Sequence, residues 1–360
     1  MIVGLDLLFL DPGRTGGRET HTRELLTAIA ARDDRPHFIA FLGADAAAAG
    51  RGWWTELPDR VVVLPRASAR RRVSWALGEA VAVGRAAARA GVDLVHGPAN
   101  FAPFAGPFAR VVTVHDVGFR RLPELMTPAM RLGTELLVPP AARRAHRVIT
   151  VSAASRDDLV AELKVDPERI DVIPNGIASP PASASTERRT ILTVATNLPH
   201  KNLSAVVEAV ARLDDAPPLV IVGADTDDGA LASQASQLGV DATILGAVPT
   251  ETLDRLYAEA AAYVTATLYE GFGLPVLEAM ARGVPVVCSD LPVLREVAGN
   301  AAFFTDPRDA AAIASAIRRA LAEGPTRAEA GRAQAARFTW QAAAEATLET
   351  YDAALAAQRG

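Results

Sequence analysis

Glu270-Gly-Phe-Gly-Leu-Pro-Val-Leu-Glu278-Ala-Met-Ala-Arg-Gly-Val-Pro-Val-Val287 is the stretch on which the reading of this chain turns. It follows one apolar, β-branched run, Tyr263–Thr265, and leads into another, Val286–Cys288. Two such runs separated by a glycine turn and a helical pattern describe a parallel strand–helix–strand unit. Pro275 suits the first helical turn, where its missing N–H is harmless. Gly271–Leu274 contains no Ser, Thr, Asp or Asn, so the N–H groups at that helix start have no side-chain cap. Gly271 and Gly273 let backbone come close to a ligand, and a diphosphate would satisfy both the bare N–H groups and the helix dipole. Glu278 falls about one turn inside the helix among Val276, Leu277, Ala279 and Met280. A carboxylate in that company needs hydrogen-bond donors, and two vicinal ribose hydroxyls would supply them. The plainer alternative is a tight turn with one surface glutamate at each end.

The same rhythm runs along the whole chain. In the first half, strands are expected at Ile2–Phe9, His37–Leu42, Val61–Leu64, Leu94–His96, Val111–His115, Val148–Val151 and Asp171–Ile173. Helices are expected between them, including Arg18–Ala31, Val73–Ala90, Pro128–Arg144 and Ala153–Lys164, the last capped by Ser152. Ser179–Thr186, rich in serine and proline, reads as a linker. The alternation then restarts with strands at Thr190–Ala195, Leu219–Gly223, Thr243–Leu245, Tyr263–Thr265, Val286–Cys288 and Ala302–Phe304. Its helices include Thr252–Ala262, Pro275–Ala281, Asp309–Ala322 and a last one from Trp340 to Ala357. The expected organisation is a Rossmann-like domain over residues 1–178, a linker at 179–188, a Rossmann-like domain over 189–339 and a last helix at 340–360. The fold class is α/β with two parallel sheets, and a ligand cleft is expected between the two domains.

Composition narrows the function classes. Half of the 360 residues are hydrophobic and 22% are charged, which suits a globular protein. No run reaches the ~18 apolar residues of a membrane span. The start, Met-Ile-Val-Gly-Leu-Asp, lacks a basic leader, so a cytoplasmic protein is expected. One cysteine, Cys288, excludes an internal disulfide framework and a cysteine zinc site. Residues 1–178 carry a net charge of +3 and the remainder −8. That split argues against global nucleic-acid binding. It allows a peripheral contact of Arg70–Arg72, Arg120-Arg121 and Arg143-Arg144 with an anionic membrane, with solvated arginine-rich faces as the plainer alternative. Only Lys164 and Lys201 are lysines.

The string resembles the E-x7-E signature of glycosyltransferase family 4, retaining nucleotide-sugar transferases of GT-B fold. The resemblance covers nearly the whole chain, and it implies that residues 1–178 are the acceptor-side domain, 189–339 the nucleotide-sugar-binding domain and 340–360 a helix crossing back to the first domain. Gly16-Gly17 before a helix is similar to the family's N-terminal glycine loop. Val112-Thr-Val-His115-Asp116 resembles its T-V-H-D strand end, and Val148-Ile-Thr-Val-Ser152 the strand and cap that follow. Ile170-Asp-Val-Ile-Pro-Asn-Gly176 resembles the run into the linker. Val194-Ala-Thr-Asn-Leu-Pro-His200-Lys201-Asn202 resembles the phosphate-binding segment, and Phe338-Thr-Trp340 the start of the family's tail.

By that resemblance Gly16 and Gly17 lie against the donor diphosphate and Lys201 meets it as a point charge. His200 stands where many relatives carry an arginine. Glu278 binds ribose; Glu270, with the amides of Phe272 and Gly273, binds the donor sugar; the amides of Leu274 and Val276 face phosphate. His115 touches the transferred sugar near the reacting carbon, and the base lies near Leu245–Val248. The expected activity is metal-independent, retaining transfer of a sugar, mannose or glucose, from a nucleotide-sugar to a hydroxyl acceptor such as a glycan, glycolipid or small molecule. No cofactor is implied. Asp225-Thr226-Asp227 is a literal D-x-D beside Asp228, read here as an acidic turn. His96 and Asn100 line the acceptor side or are plain loop structure; Arg14 is near enough to the glycine loop to be weighed for phosphate. A nucleotide-sugar epimerase of the same fold and a non-catalytic sugar-binding protein are the alternatives.

Overall fold

The computed structural model describes residues 1–178, 188–227 and 229–359. The expected linker Ser179–Thr186 lies outside the described residues, as does Asp228. Two compact units emerge. Met1–Gly176 with Thr339–Gly360 form the first, and Ile177–Phe338 the second.

The first unit holds strands β1 (Ile2–Leu7), β2 (His37–Gly43), β3 (Arg60–Leu64), β4 (Leu94–Gly97), β5 (Ala109–Thr113), β6 (Arg147–Thr150) and β7 (Ile170–Val172). They form one parallel sheet in the order β3-β2-β1-β4-β5-β6-β7. The second unit holds β8 (Thr190–Val194), β9 (Leu219–Val222), β10 (Ala242–Leu245), β11 (Ala260–Thr265), β12 (Val286–Ser289) and β13 (Phe303–Thr305). Their sheet is parallel too, in the order β10-β9-β8-β11-β12-β13. Each order reverses once, at β1/β4 and at β8/β11. In open α/β sheets of this type ligands bind beyond the carboxyl ends of the strands that flank such a reversal.

Covering both faces explains why these strands are continuous apolar runs. In the first unit, Leu25, Leu26 and Ile29 of the helix Gly17–Ala30 share a core with Val3, Leu5 and Leu7 of β1. Trp340, Ala343, Ala344, Tyr351 and Ala354 of the C-terminal helix Trp340–Arg359 complete that core. In the second unit, Val206, Val207 and Val210 pack with Ile191, Ile221 and Val264.

Several boundaries differ from expectation. The helix expected over Thr252–Ala262 is Thr250–Glu259, because Ala260 already pairs with Thr190 in the sheet. Ala260 and Ala262 are fully buried, and alanine suits either element. The helix expected over Asp309–Ala322 runs Ala310–Ala335, with Asp309 as a cap accepting the amides of Ala311 and Ala312. Its second half is held by packing: Gly324 lies against Pro285 and Gly331 against Met280. The helix expected over Val73–Ala90 is interrupted by a π turn at Gly78–Ala82, and that over Ala153–Lys164 becomes π at Leu159–Leu163. The first of these turns brings Glu79 into the core beside Asp6, both 2% exposed. Burial pushes both carboxyls well up.

The basic clusters of the first unit are largely answered within the chain. Arg70 forks onto Asp11 at 2.9 and 2.8 Å, and Arg120 onto Glu135 at 2.9 and 2.7 Å. Arg121 pairs with Asp158 and Glu162, and Arg143 donates to the Leu163 carbonyl at 2.7 Å. These pairings leave less free positive charge for an anionic surface than the sequence suggests. No helix among the described residues is long and apolar enough to cross a membrane.

Candidate active site

In the second unit the β8 and β11 ends are followed by the two segments singled out in the sequence. After β8 the chain enters a short 3-10 turn, Pro199–Lys201, closed by Asn202 in the left-handed region at φ 53°. After β11 it runs through residues 266–273 into the helix Leu274–Ala281. The two segments are pinned together, since the His200 carbonyl accepts the Leu268 amide at 2.7 Å and the Thr267 hydroxyl at 3.2 Å. That pinning brings Lys201 Nζ to 2.6 Å from Glu270 Oε1, with the two side chains 20% and 17% exposed.

Gly273 caps the helix at φ 101°, a conformation open to glycine, and an added Cβ would sit 2.6 Å from Leu294 Cδ2. No side chain caps this end. As the first helical residue Leu274 has no acceptor within the helix. Val276 differs, because its N–H already donates to the Gly273 carbonyl at 3.0 Å. Phe272 is buried and packs edge-to-face on Phe338 with centroids 5.9 Å apart. It anchors the loop and presents its backbone.

Glu278 is half-buried, and burial raises its carboxyl above the usual range. The Tyr257 hydroxyl donates to Oε2 at 2.9 Å. Arg282, stacked over the Tyr257 ring at 4.9 Å and paired with Asp254, steadies that donor. Tyr257 was not anticipated. In the amphipathic helix Thr250–Glu259 it looks like a core residue, and its phenol end is the part that matters.

The D-x-D triplet forms a turn. Thr226 is fully buried, its hydroxyl donating to the Gly223 and Leu245 carbonyls, and Asp225 takes φ 60°. No group of three metal-ligating side chains occurs among the described residues.

In the first unit Gly16 precedes the helix Gly17–Ala30 at φ 66° and leaves it without a side-chain cap. An added Cβ at Gly16 or Gly17 would meet open space, so at Gly16 it is the backbone angle alone that favours glycine. The loop before it is braced by Arg70 on Asp11 and by Glu19, which accepts the Gly13 amide at 3.0 Å. Arg14 is exposed, its amide closing a turn onto the Asp11 carbonyl at 2.9 Å.

His115 follows β5. Its Nε2–H donates to the Pro98 carbonyl at 2.9 Å, which leaves Nδ1 as the acceptor nitrogen. Its amide donates to Asn100 Oδ1 at 2.9 Å, so Asn100, at φ 73°, is a loop brace. Burial lowers His115 to about 4, so near neutral pH it accepts hydrogen bonds and carries no charge.

Behind it lie two histidines. His21 packs edge-to-face on His115 with centroids 4.6 Å apart, and its Nδ1–H donates to Asn175 Oδ1 at 2.7 Å. His96 bridges the Tyr351 and Thr113 hydroxyls, each at 2.8 Å. His96 is 1% exposed and belongs to the core. Burial lowers both rings to about 3. His21 was missed; its signal was a histidine on the buried face of the first turns after the glycine loop.

Comparison with known proteins bears on the family and the fold. The sequence profile of Glycosyltransferase Family 4 matches residues 15–179, and that of Glycosyl transferases group 1 matches residues 178–337. The O-antigen chain mannosyltransferase B of Escherichia coli is 31% identical over 281 residues, 72% of this chain and 74% of that protein. Sucrose-phosphate synthase of Thermosynechococcus elongatus shares the fold with a TM-score of 0.78 and 22% identity, over 98% of both chains. Anabaena HepE, solved in complex with UDP and glucose, gives a TM-score of 0.75 at 21% identity, over 98% of this chain and 99% of that one. The chain belongs to glycosyltransferase family 4 and is a glycosyltransferase of GT-B fold.

Proposed function

We propose that the protein transfers a hexosyl group, mannose before glucose, from a nucleoside diphosphate sugar to a hydroxyl acceptor, with retention and without a divalent metal. The observation that carries this reading is the Lys201–Glu270 pair beyond β8 and β11, beside an uncapped helix start. A diphosphate there finds one cation and the Leu274 amide, which has no acceptor within the helix. The similarity to a mannosyltransferase and to a protein solved with UDP and glucose supports the donor class.

In this proposal Glu278 accepts both ribose hydroxyls while the Tyr257 hydroxyl holds its orientation. Glu270, with the Phe272 and Gly273 amides, holds the donor sugar. Lys201 and the Leu274 amide meet the diphosphate, with Val276 contributing through an N–H it shares with Gly273. His200 positions the Lys201 turn through its carbonyl. Gly16 and Gly17 contribute bare backbone to the diphosphate, and His115 accepts a sugar hydroxyl through Nδ1. As the bond from the anomeric carbon to the diphosphate oxygen breaks, the acceptor oxygen forms its bond to that carbon. The acceptor proton passes to the departing diphosphate, whose charge Lys201 stabilises.

Thermal-shift screening with UDP, GDP and ADP and their hexose esters tests the donor class, because ligand binding to the folded state raises its melting point. NMR of the product's anomeric proton then reads the stereochemistry. Absence of any nucleotide-dependent shift, or an inverted product, overturns the reading.

A further inference from the structure

We propose that the first unit recognises its acceptor through an apolar body, an aryl or alkyl group held in a cavity beside the β1, β4 and β5 ends; the inference rests on the transferase reading above. The cavity measures about 400 Å³. Phe9, Trp75, Phe101, Phe119 and Met126 form its walls, and Trp75 meets Phe101 edge-to-face with centroids 4.4 Å apart. Its polar edge consists of Arg18, Asn100 and Asp116. That edge adjoins His115 in sequence and in space, since Asn100 Oδ1 accepts the His115 amide at 2.9 Å.

Part of the polar capacity at this edge is already used. Asn100 braces His115, and Asp116 Oδ1 accepts the Gly118 amide at 2.8 Å. What remains is Arg18, the Asn100 amide nitrogen, the second Asp116 oxygen and the Thr134 hydroxyl, set against five large apolar side chains. A sugar ring pushed into the cavity would bring several hydroxyls against aromatic walls that cannot pair them, and each unpaired hydroxyl is costly. An apolar group gains by the same transfer. The arrangement therefore fits a molecule with its hydroxyl-bearing part at the polar edge and its apolar part inside.

The helices around the cavity also carry exposed leucines. The cavity is walled in part by the helices Arg72–Leu77 and Pro128–Arg144, through Trp75, Ala76, Gly133 and Thr134. Those two helices also expose Leu77, Leu132 and Leu136, each 61% accessible. One exposed leucine means nothing; three on the two helices that wall the cavity make those elements apolar outside as well as inside.

Titration calorimetry of the full chain with hexyl α-mannoside and methyl α-mannoside, without donor, tests the assignment. The two probes share their hydroxyls and differ in the apolar group alone. The hexyl compound should bind at least ten-fold more tightly. Ala76→Phe and Thr134→Phe each fill the cavity, and either one that melts like the wild type should erase the difference. Equal affinities, no binding of the hexyl compound, or a preference that survives filling overturns the proposal. Nucleotide-sugar turnover is measured separately. Hexyl preference without turnover would sink the transferase reading and leave the apolar cavity standing, whereas turnover without hexyl preference would do the reverse.

Discussion

Lys201 Nζ and Glu270 Oε1 stand 2.6 Å apart, each supplied by the segment after one of the two strands that flank the reversal in the second sheet. The pair holds a cation in place before any anion arrives. In the proposed function an incoming diphosphate competes with Glu270 for Lys201, which would make donor binding and the release of Glu270 toward the sugar one event. Lys201→Ala should lower turnover about 100-fold at saturating donor, the scale of a lost charge-stabilising donor. Lys201→Arg should recover part of it, because the two cations differ in geometry. Glu270→Gln should bind free nucleoside diphosphate more tightly than the wild type while transferring more slowly. Steady-state kinetics with calorimetry separates these effects, and near-normal turnover of Lys201→Ala removes the residue from the mechanism.

Glu278 and Tyr257 make a second test. Glu278→Ala should weaken nucleotide binding by about 1–3 kcal/mol, the scale of lost hydrogen bonds to a charged group. The Tyr257 hydroxyl holds the Glu278 carboxyl down against the upward push of burial. Tyr257→Phe should therefore move the acid limb of nucleotide binding to higher pH. Calorimetry across the acid range checks both, and unchanged affinity in Glu278→Ala rules out the ribose assignment.

Transfer should survive metal removal. In the proposed function Lys201 and the uncapped helix start take the charge-stabilising role, and the Asp225–Asp227 turn points its middle residue into the core. Enzyme treated with EDTA should keep most of its activity. Complete loss, restored by manganese or magnesium, would make Asp225 and Asp227 candidate ligands instead.

The three histidines predict how stability depends on pH. Burial holds His21 and His96 at about 3 and His115 at about 4, below the ordinary 6.5. Unfolded, each would take up a proton near pH 6.5. Below that point the unfolded chain binds more protons, so their contribution is full above about pH 6.5 and is lost as pH falls toward 4. Each proton contributes a slope of up to about 1.4 kcal/mol per pH unit. Asp6 and Glu79, pushed up by burial, act in the opposite sense and partly offset this loss. Urea midpoints should fall between pH 6.5 and 4.5 in the wild type and fall less in His96→Phe. Parallel curves for the two proteins would contradict the assignment.

The strands were legible because covered parallel strands are continuous β-branched runs, as in Leu219–Val222. Legibility failed where one residue type serves two elements. Ala260–Ala262 is as good a helix end as a strand start, and pairing with β8 decides. The helix Ala310–Ala335 outlasts its sequence pattern because Gly324 and Gly331 lie flat against Pro285 and Met280. Among candidate site residues, Lys201 and Glu270 were readable as neighbours-to-be from two short segments that the fold pins together, and Glu278 from its place on an apolar helix. Tyr257 and His21 were not, since each earns its role from a partner far along the chain: Glu278 for the first, Asn175 for the second. The arginine clusters looked like free positive charge because their partners, such as Asp11 for Arg70, are equally distant.

The C-terminal helix Trp340–Arg359 lends Tyr351 to His96 and Thr350 to Asp171, inside the unit that the chain left at Gly176. During synthesis, residues 1–176 therefore leave the ribosome with a core that cannot be closed until this helix emerges. The second unit is contiguous and can fold while the first still waits. At translation rates of about 5–20 residues per second, that interval lasts on the order of ten seconds or more. Through it the apolar face that Trp340 and Tyr351 will cover stays open to water, chaperones and neighbouring nascent chains. The half of the molecule that begins first finishes last.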